Sequence, residues 1–455
     1  MKLKRIVIIL ICMLLIILGA VLAVTTGKSV RDNAESNPSD HQTVAPDVSL
    51  PPEPDLSAPQ TTSPDSLQTD ESTAEQTQAE PTAPPDESTV QPDEPSDTPD
   101  SPVVPENATA RICLGGDTSI DSEFADAANK WGVDYPWKEV TEIFSSADIS
   151  IVNLETCVSE RGKSEKREGY GFRTPPSMLE GFANAGIDMV NLANNHTRDF
   201  GYDALLDTFE HLNSYGIDYF GAGKDIDEAS GLVIKEVNGI KIGFAGCNYV
   251  YLAKDCAADV DHAGVNMVYK MSDSRTKAFL DKVNEYDAMC DVLIVFMHAG
   301  IEEVFDINTY QKDLSRALID NGADIVVGAH PHTLQPIEFY NGKPIFYSIG
   351  NLIFWHIDDD IDGLTCIFDI TVDKNGFKSL KLHPLFIKNY KVYLLKDGEG
   401  KHPTRYNQIM ALMNDLCLKY GLGFDENAEL KVLSAEEIEN AKALKAQNYS
   451  EAVMQ

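Results

Sequence analysis

Eight polar residues stand just after short apolar runs in this chain. Asp117 follows Arg111 to Leu114 in GGDTSID, and Glu155 closes IVNLE. Asn194, Asn195 and His196 follow the next run in VNLANNH, and His298 ends VLIVFMH. His330 and His332 follow Ala323 to Val327 across Pro331. Two imidazoles in an H-x-H spacing beyond a strand end can aim at one point, which is how a chain builds half of a metal site. Mixed nitrogen and oxygen donors suit Mn, Fe or Zn rather than Mg or Ca. Taken singly, each residue has an ordinary structural use, such as an Asp in a glycine turn, a Glu at a helix cap or a His bonded to a carbonyl. It is their shared place after strands that sets the group apart.

The elements that must position them are legible as alternating patterns. Strand-like runs at Arg111–Leu114, Ile149–Leu154, Asp188–Leu192, Tyr219–Phe220, Leu232–Val237, Lys241–Ala245, Val292–Met297 and Ala323–Val327 alternate with amphipathic, helix-length segments. The latter include Pro176–Ala185, Tyr202–Tyr215, Arg275–Met289 and Thr309–Asn321. Such alternation predicts an α/β fold with helices covering sheet faces, and ligands in such sheets bind beyond the carboxyl ends of the strands. Asn238-Gly239, Asn341-Gly342 and Asn375-Gly376 are hairpin signals, so part of the sheet should be antiparallel. Past about Tyr390 the pattern turns helical, through Tyr406–Tyr420 and Ala435–Gln447, with no evident chemistry.

Composition divides the 455 residues into zones. Lys2, Lys4 and Arg5 precede the uncharged run Ile6–Val24, long enough to cross a bilayer as one helix. This predicts a retained single-pass anchor over residues 1–24, in the cell membrane with the C-terminal domain outside the cytoplasm. Cleavage after Val21-Leu22-Ala23 is the alternative. Residues 25–110 are rich in Pro, Ser, Thr and acid: Asp32 to Ala110 holds 18 acidic residues, no Lys or Arg, and 15 of the 23 prolines. A segment so poor in apolar side chains cannot offset its ordering entropy, so it is expected to be a disordered tether. Residues 111–395 should form the folded domain and 396–455 a helical extension. Setting aside the tether's −18 and the +5 of the first 31 residues leaves −22 of the total −35, which argues against a nucleic-acid partner. The seven domain cysteines show no C-x-x-C and no disulfide framework.

GGDTSI, DISIVNLET, YGFRTPP, GIDMVNLANNHTRDFG, MHAGIEE and GADIVVGAHPHTLQPIEFYNGKPIFYSIGNLIF together resemble the capsule synthesis protein CapA family. That family is associated with poly-γ-glutamate capsule production, and its fold is similar to calcineurin-like metallophosphoesterases. The resemblance implies a layered sandwich with mixed sheets and flanking helices. It also implies two divalent metal ions (Mn, Fe or Zn) bridged by Glu155. Asp117 and His332 would complete one position, and Asn195, His298 and His330 the other. His196 would match the residue that protonates a leaving group, making His196 and Glu155 the implied catalytic pair. Metallophosphoesterases usually carry D-x-H where this chain has Asp117-Thr118-Ser119, so the first position lacks an imidazole and would be weaker, or filled through water or Asp121.

Arg161 to Arg167, RGKSEKR, leaves the strand ending in Glu155, and Arg173 follows in GFRTPP. Positive charge there could attract a phosphate or a polycarboxylate. Arg173, Asn194 and Glu302 are the expected substrate contacts, although Glu302 could equally orient His298 or be an acid at a helix start. The acidic run Asp358 to Asp362 lacks glycine-punctuated calcium-loop spacing and reads as a solvated turn. The expectation is a membrane-anchored CapA-like protein of poly-γ-glutamate synthesis or export with a dinuclear hydrolase site for a phosphoester or γ-glutamyl amide. A general extracellular metal-dependent phosphoesterase and a non-catalytic accessory subunit of a polymer synthase complex are the alternatives.

Overall fold

In the computed structural model the described residues are 107–166, 170–250, 256–354, 363–396 and 402–454, with side chains described as far as 446. They belong to the compact unit Pro95–Gln455. The unit Met1–Glu94, which holds the expected anchor and most of the expected tether, lies outside the described residues, as do Arg167 and Asp358 to Asp362.

Among the described residues, fourteen strands build two mixed sheets. They are β1 (Ala110–Thr118), β2 (Ile149–Leu154), β3 (Met189–Asn191), β4 (Asp218–Phe220), β5 (Val233–Val237), β6 (Ile240–Asn248) and β7 (Val292–His298). The chain continues through β8 (Ile325–Ala329), β9 (Ile337–Tyr340), β10 (Lys343–Phe346), β11 (Asn351–Ile353), β12 (Leu364–Asp373), β13 (Gly376–Lys388) and β14 (Lys391–Leu394). The first sheet runs β14-β13-β12-β1-β2-β3-β4, with β11 parallel to the end of β1. Strands β1 to β4 are parallel, and the β12–β14 side is antiparallel. The second runs β9-β10-β8-β7-β6-β5, parallel at its centre with a hairpin at each edge. Both edge hairpins turn on the expected Asn-Gly pairs: Asn238 and Gly239 have φ of 53° and 78°, Asn341 and Gly342 of 53° and 79°, the left-handed pairs that a tight two-residue turn requires.

Strand alternation divides each sheet between two cores. Ile112, Leu114 and Ile151 point inward against Ile242, Phe244, Ile294, Phe296 and Val327 of the second sheet. Cys113, Val152 and Val190 point outward, under Phe124, Phe182, Leu205 and Phe209 from helices Ser122–Trp131, Leu179–Ala185 and Tyr202–Ser214. On the far side Leu293 and Val295 meet Phe279, Val283, Leu314 and Leu318 from helices Ser274–Asp287 and Thr309–Asp320. Each such side chain stabilises the fold by about 1.5–3 kcal/mol when fully buried. The result is the layered α/β sandwich of mixed sheets and flanking helices that the sequence implies, with the ends of β1, β2, β3, β7 and β8 delivering the polar residues singled out above.

The tail is helical over Pro403–Leu418 and Ala435–Met454, but between them Leu422–Phe424 pairs with Leu430–Val432 as a hairpin absent from the sequence reading. Ile409, Met413 and Cys417 of the first helix enter the same core that joins the sheets.

The expectation of membrane attachment is corrected here: no helix among the described residues is long and apolar enough to cross a membrane. The 20-residue helix Ala435–Met454 carries Glu436, Glu437, Glu439, Lys442, Lys445 and Glu451, whereas a span of that length must be mostly apolar. Single-pass anchoring, the membrane as a partner and a domain outside the cytoplasm all rested on Ile6–Val24. That run lies outside the described residues, and none of the three is carried further.

Candidate metal centre

Strand register brings the polar residues together. Asp117 in β1 pairs in register with Asn153 of β2 on one side and Asn351 of β11 on the other. The approach needs Gly116: a Cβ there would stand 1.8 Å from the Gly350 carbonyl oxygen, so any side chain would push β11 away. Asn153 Nδ2 donates to Asp117 Oδ1 at 2.7 Å, and Asn191 Nδ2 donates to Asn153 Oδ1 at 2.7 Å. Side chains two apart share a strand face, so Glu155 lies on the same side as Asn153.

The two histidines of H-P-H sit on strained backbone. His330 and His332 have φ of 97° and 59°, conformations that cost a non-glycine residue about 1–3 kcal/mol each. The His330 backbone N–H points at Asp117 Oδ2 at 3.3 Å, and His332 Nδ1 lies 3.0 Å from Asp117 Oδ2 and 2.9 Å from Asn351 Oδ1. Two acceptors on Nδ1 favour a proton there, so that in the neutral ring Nε2 carries the lone pair. His298 Nε2 is 2.7 Å from Asn195 Oδ1 and 3.3 Å from Glu155 Oε1, the latter without hydrogen-bond geometry. Two groups of three residues present ligand atoms at spacings that could hold an ion: Glu155, His330 and His332, and Asp117, Glu155 and His298. Glu155 is common to both. The direct contacts pair Asp117 with His332 and Asn195 with His298, so the two groups cut across the partition that the resemblance implies.

Burial sets the protonation states. Glu155 is fully buried and its carboxyl is pushed well above the usual range, by burial first and then by the neighbouring Asp117. Burial also holds His298 and His330 well below the ordinary imidazole value, as neutral ligand-ready rings. His332 moves the other way, since its hydrogen bond to Asp117 and that carboxylate's charge outweigh the burial that would lower it. Among the described residues, both Glu155 oxygens and His330 Nδ1 are buried without a hydrogen-bond partner. An unpaired buried carboxylate is costly, and a cation shared with the imidazoles satisfies it. The residues present therefore fit divalent metal ions.

His196 stands at the edge of this cluster. Its Nδ1 is 2.6 Å from Asp199 Oδ2, and its Nε2 is 3.9 Å from Glu155 Oε1. Burial lowers the His196 pKa, although Asp199 pulls it up. Phe172 packs on its ring at 4.3 Å, and Phe354 stacks on His332 at 4.5 Å. Asp199 also accepts from the Phe172 backbone N–H at 2.9 Å and lies 3.5 Å from Lys166 Nζ.

The expected substrate contacts behave differently from one another. Asn194 is buried and spends its amide on the Leu154 carbonyl and its oxygen on His196 N and Thr197 Oγ1, so it builds the turn that carries Asn195 and His196. Glu302 is exposed and reaches the cluster only through its charge on Glu155 and His332. Arg173 is half-buried, lies over the Phe200 ring at 3.9 Å and donates to the Arg161 carbonyl. Arg161 itself is tied to Asp207, and Lys166 to Asp199 and the Asn195 carbonyl. Asp121 is buried, its carboxyl pushed up to about 7, chiefly by burial.

A model of the bacterial capsule synthesis protein PGA_cap matches residues 111–356, more than half of the chain. The chain belongs to the PGA_cap family. The PGA biosynthesis protein CapA of Bacillus subtilis is 29% identical over 299 residues, 65% of this chain and 76% of that protein. The capsule biosynthesis protein CapA of Bacillus anthracis is 27% identical over 252 residues, 55% of this chain and 61% of that one. A protein of Mycobacterium tuberculosis named as a probable polyglutamine synthesis accessory protein is 30% identical over 242 residues, 50% of this chain and 61% of that one. Among solved structures, a phosphatase from Mycoplasma pneumoniae is 13% identical with a TM-score of 0.40, covering 61% of this chain and 94% of that one. An NAD nucleotidase of Haemophilus influenzae is 11% identical with a TM-score of 0.38, covering 76% and 68%. Likeness at that level carries no argument about function.

Several residues of this PGA_cap centre escaped the sequence reading. Asn153 and Asn351 lie inside IVNLE and SIGNLIF, two residues before Glu155 and one after a glycine, where alternation could have flagged them. Asp199 lies three residues after His196 in NNHTRD, a spacing that lets a carboxylate reach back to the imidazole in one turn.

Proposed function

We propose that this PGA_cap-family chain is a metal-dependent hydrolase acting on an anionic polymer of the poly-γ-glutamate type, at a γ-glutamyl amide, or on a phosphoester. One observation carries the reading: Glu155, buried with neither oxygen hydrogen-bonded, is ringed by Asp117, His298, His330 and His332. Asp117, Glu155, Asn195, His298, His330 and His332 would hold the ions. Bound divalent ions would lower the pKa of water toward neutrality and offset charge developing on a phosphoryl or carbonyl oxygen.

The chain's own residues supply the rest. Asp199 fixes the His196 ring by accepting from Nδ1, which leaves Nε2 directed toward Glu155. With Nδ1–H held by Asp199, Nε2 would carry a proton in the imidazolium form, and that form would place it where a leaving group departs. Phe172, packed on that ring, keeps it from turning and keeps water from one face. Arg173 contributes positive charge in an acidic body and would meet an anionic substrate through its guanidinium.

Ser119, which stands where metallophosphoesterases usually carry a ligating histidine, supports a second reading: an accessory subunit of a polymer synthase that uses the ions for structure. Assay of the full chain with Mn, Fe and Zn against a general phosphodiester and poly-γ-glutamate separates the two. The hydrolase reading predicts turnover that falls by at least about 100-fold in His332→Ala and Asn195→Ala. No turnover with any ion would leave the accessory reading.

A further inference from the structure

Ser119 is 1% exposed and its hydroxyl has no hydrogen-bond partner among the described residues. Buried serines ordinarily turn to a nearby carbonyl, and an unsatisfied one calls for a specific cause. The backbone here does not need the side chain, because Ser119 N–H already donates to the Ile353 carbonyl at 2.6 Å. Position is informative. Ser119 follows directly on β1, two residues beyond Asp117 and just past the register shift between Asp117 and Thr118. Thr118 pairs in register with Leu154, and the Glu155 N–H donates to the Thr118 carbonyl at 2.9 Å, so the backbones of Ser119 and Glu155 leave neighbouring strand ends side by side. Three oxygens without a partner, the two of Glu155 and Ser119 Oγ, therefore occupy adjacent strand ends, next to Asp117.

We propose that Ser119 Oγ belongs to the ligand set of the ion position served by Asp117 and Glu155, and that the centre is consequently mixed. That position is weighted toward oxygen, with two carboxylates, a hydroxyl and one imidazole, His298. The position served by Glu155, His330 and His332 is weighted toward nitrogen. Oxygen-rich sites take the harder ion, Mn²⁺, and imidazole-rich sites take Zn²⁺. The inference rests on the metal-centre reading above and goes beyond it in making Ser119 a ligand and giving the two positions different ions.

The test is metal binding rather than turnover. The full chain, stripped by a chelator, is titrated with Zn²⁺ and then with Mn²⁺, with ions per chain counted and bound Mn²⁺ followed by its electron paramagnetic resonance signal. The expected result is one tight Zn²⁺ followed by one Mn²⁺ held at least about tenfold more weakly. Ser119→Ala should weaken Mn²⁺ by about tenfold or more while sparing the tight Zn²⁺. Ser119→Thr, which keeps the hydroxyl, should restore it, and Ser119→His should let a second Zn²⁺ bind tightly. Melting of each stripped variant checks that it folds; should Ser119→Ala fail to fold, the Thr and His variants decide. Unchanged Mn²⁺ binding in folded Ser119→Ala, or a second site indifferent to Ser119→His, would overturn the inference while leaving the centre intact. Absence of any bound ion in the wild type would overturn both.

Discussion

Glu155 is the residue on which the account turns, since burial and Asp117 both oppose its charge while no hydrogen bond supports it. Its folded pKa lies above its ordinary value of 4.5, so the fold favours the protonated form. That contribution is fully present below pH 4.5 and is lost as pH rises through the folded value. In metal-free protein the wild type should lose stability relative to Glu155→Gln as pH rises above about 4.5, by up to about 1.4 kcal/mol per pH unit. Urea unfolding of both proteins at several pH values reads this directly, and added Mn²⁺ or Zn²⁺ should remove the difference's pH dependence in the wild type. A pH-independent difference without metal would mean that Glu155 is not held in this way.

At the scale of elements, the centre depends on how closely β1 and β11 approach. Gly116→Ala places a Cβ against the Gly350 carbonyl, so the strands must part, and Asp117 then separates from the Asn351–His332 pair. The expected cost is about 1–3 kcal/mol of stability, with metal affinity falling together with it. A thermal melt and a metal titration on one sample check both. Element-level order was largely legible in the sequence, because period-2 and period-3.6 apolar patterns follow from which face is buried. Asn-Gly signals located two edge hairpins for the same local reason. The left-handed backbone at His330 and His332 was not legible, since it is imposed by β8, Asp117 and the strand beyond, far apart in sequence. Nor was the network of Asn153, Asn191 and Asn351, which only strand register creates; each asparagine alone looks like a loop residue.

For the molecule as a whole, the sandwich is completed by chain from beyond its second sheet. Helix Pro403–Leu418 places Ile409, Met413 and Cys417 in the core between the sheets, whereas helix Ala435–Met454 is mostly exposed along its described side chains. A chain ending after Leu433 should therefore melt within a few degrees of the full chain. One ending after Leu395 should lose most of its stability, since several buried side chains at about 2–5 kcal/mol each leave the core. Circular dichroism melts of the two truncations distinguish a docked element from an appended one. The sequence showed helical periodicity in this tail but not its destination, because a helix's apolar stripe does not name the surface that covers it.

The measurement that bears most directly on the metal centre is the ion content of the full chain, prepared without a metal-binding tag, for wild type and for His330→Ala. Mn, Fe and Zn would be counted per chain after reloading and removal of free ions. About two ions per wild-type chain and about one or fewer in the variant are expected, since His330 brings a buried nitrogen with no hydrogen-bond partner among the described residues. Close to zero ions in both proteins would contradict this expectation, and would mean that the residues gathered at these strand ends serve some purpose other than holding metal.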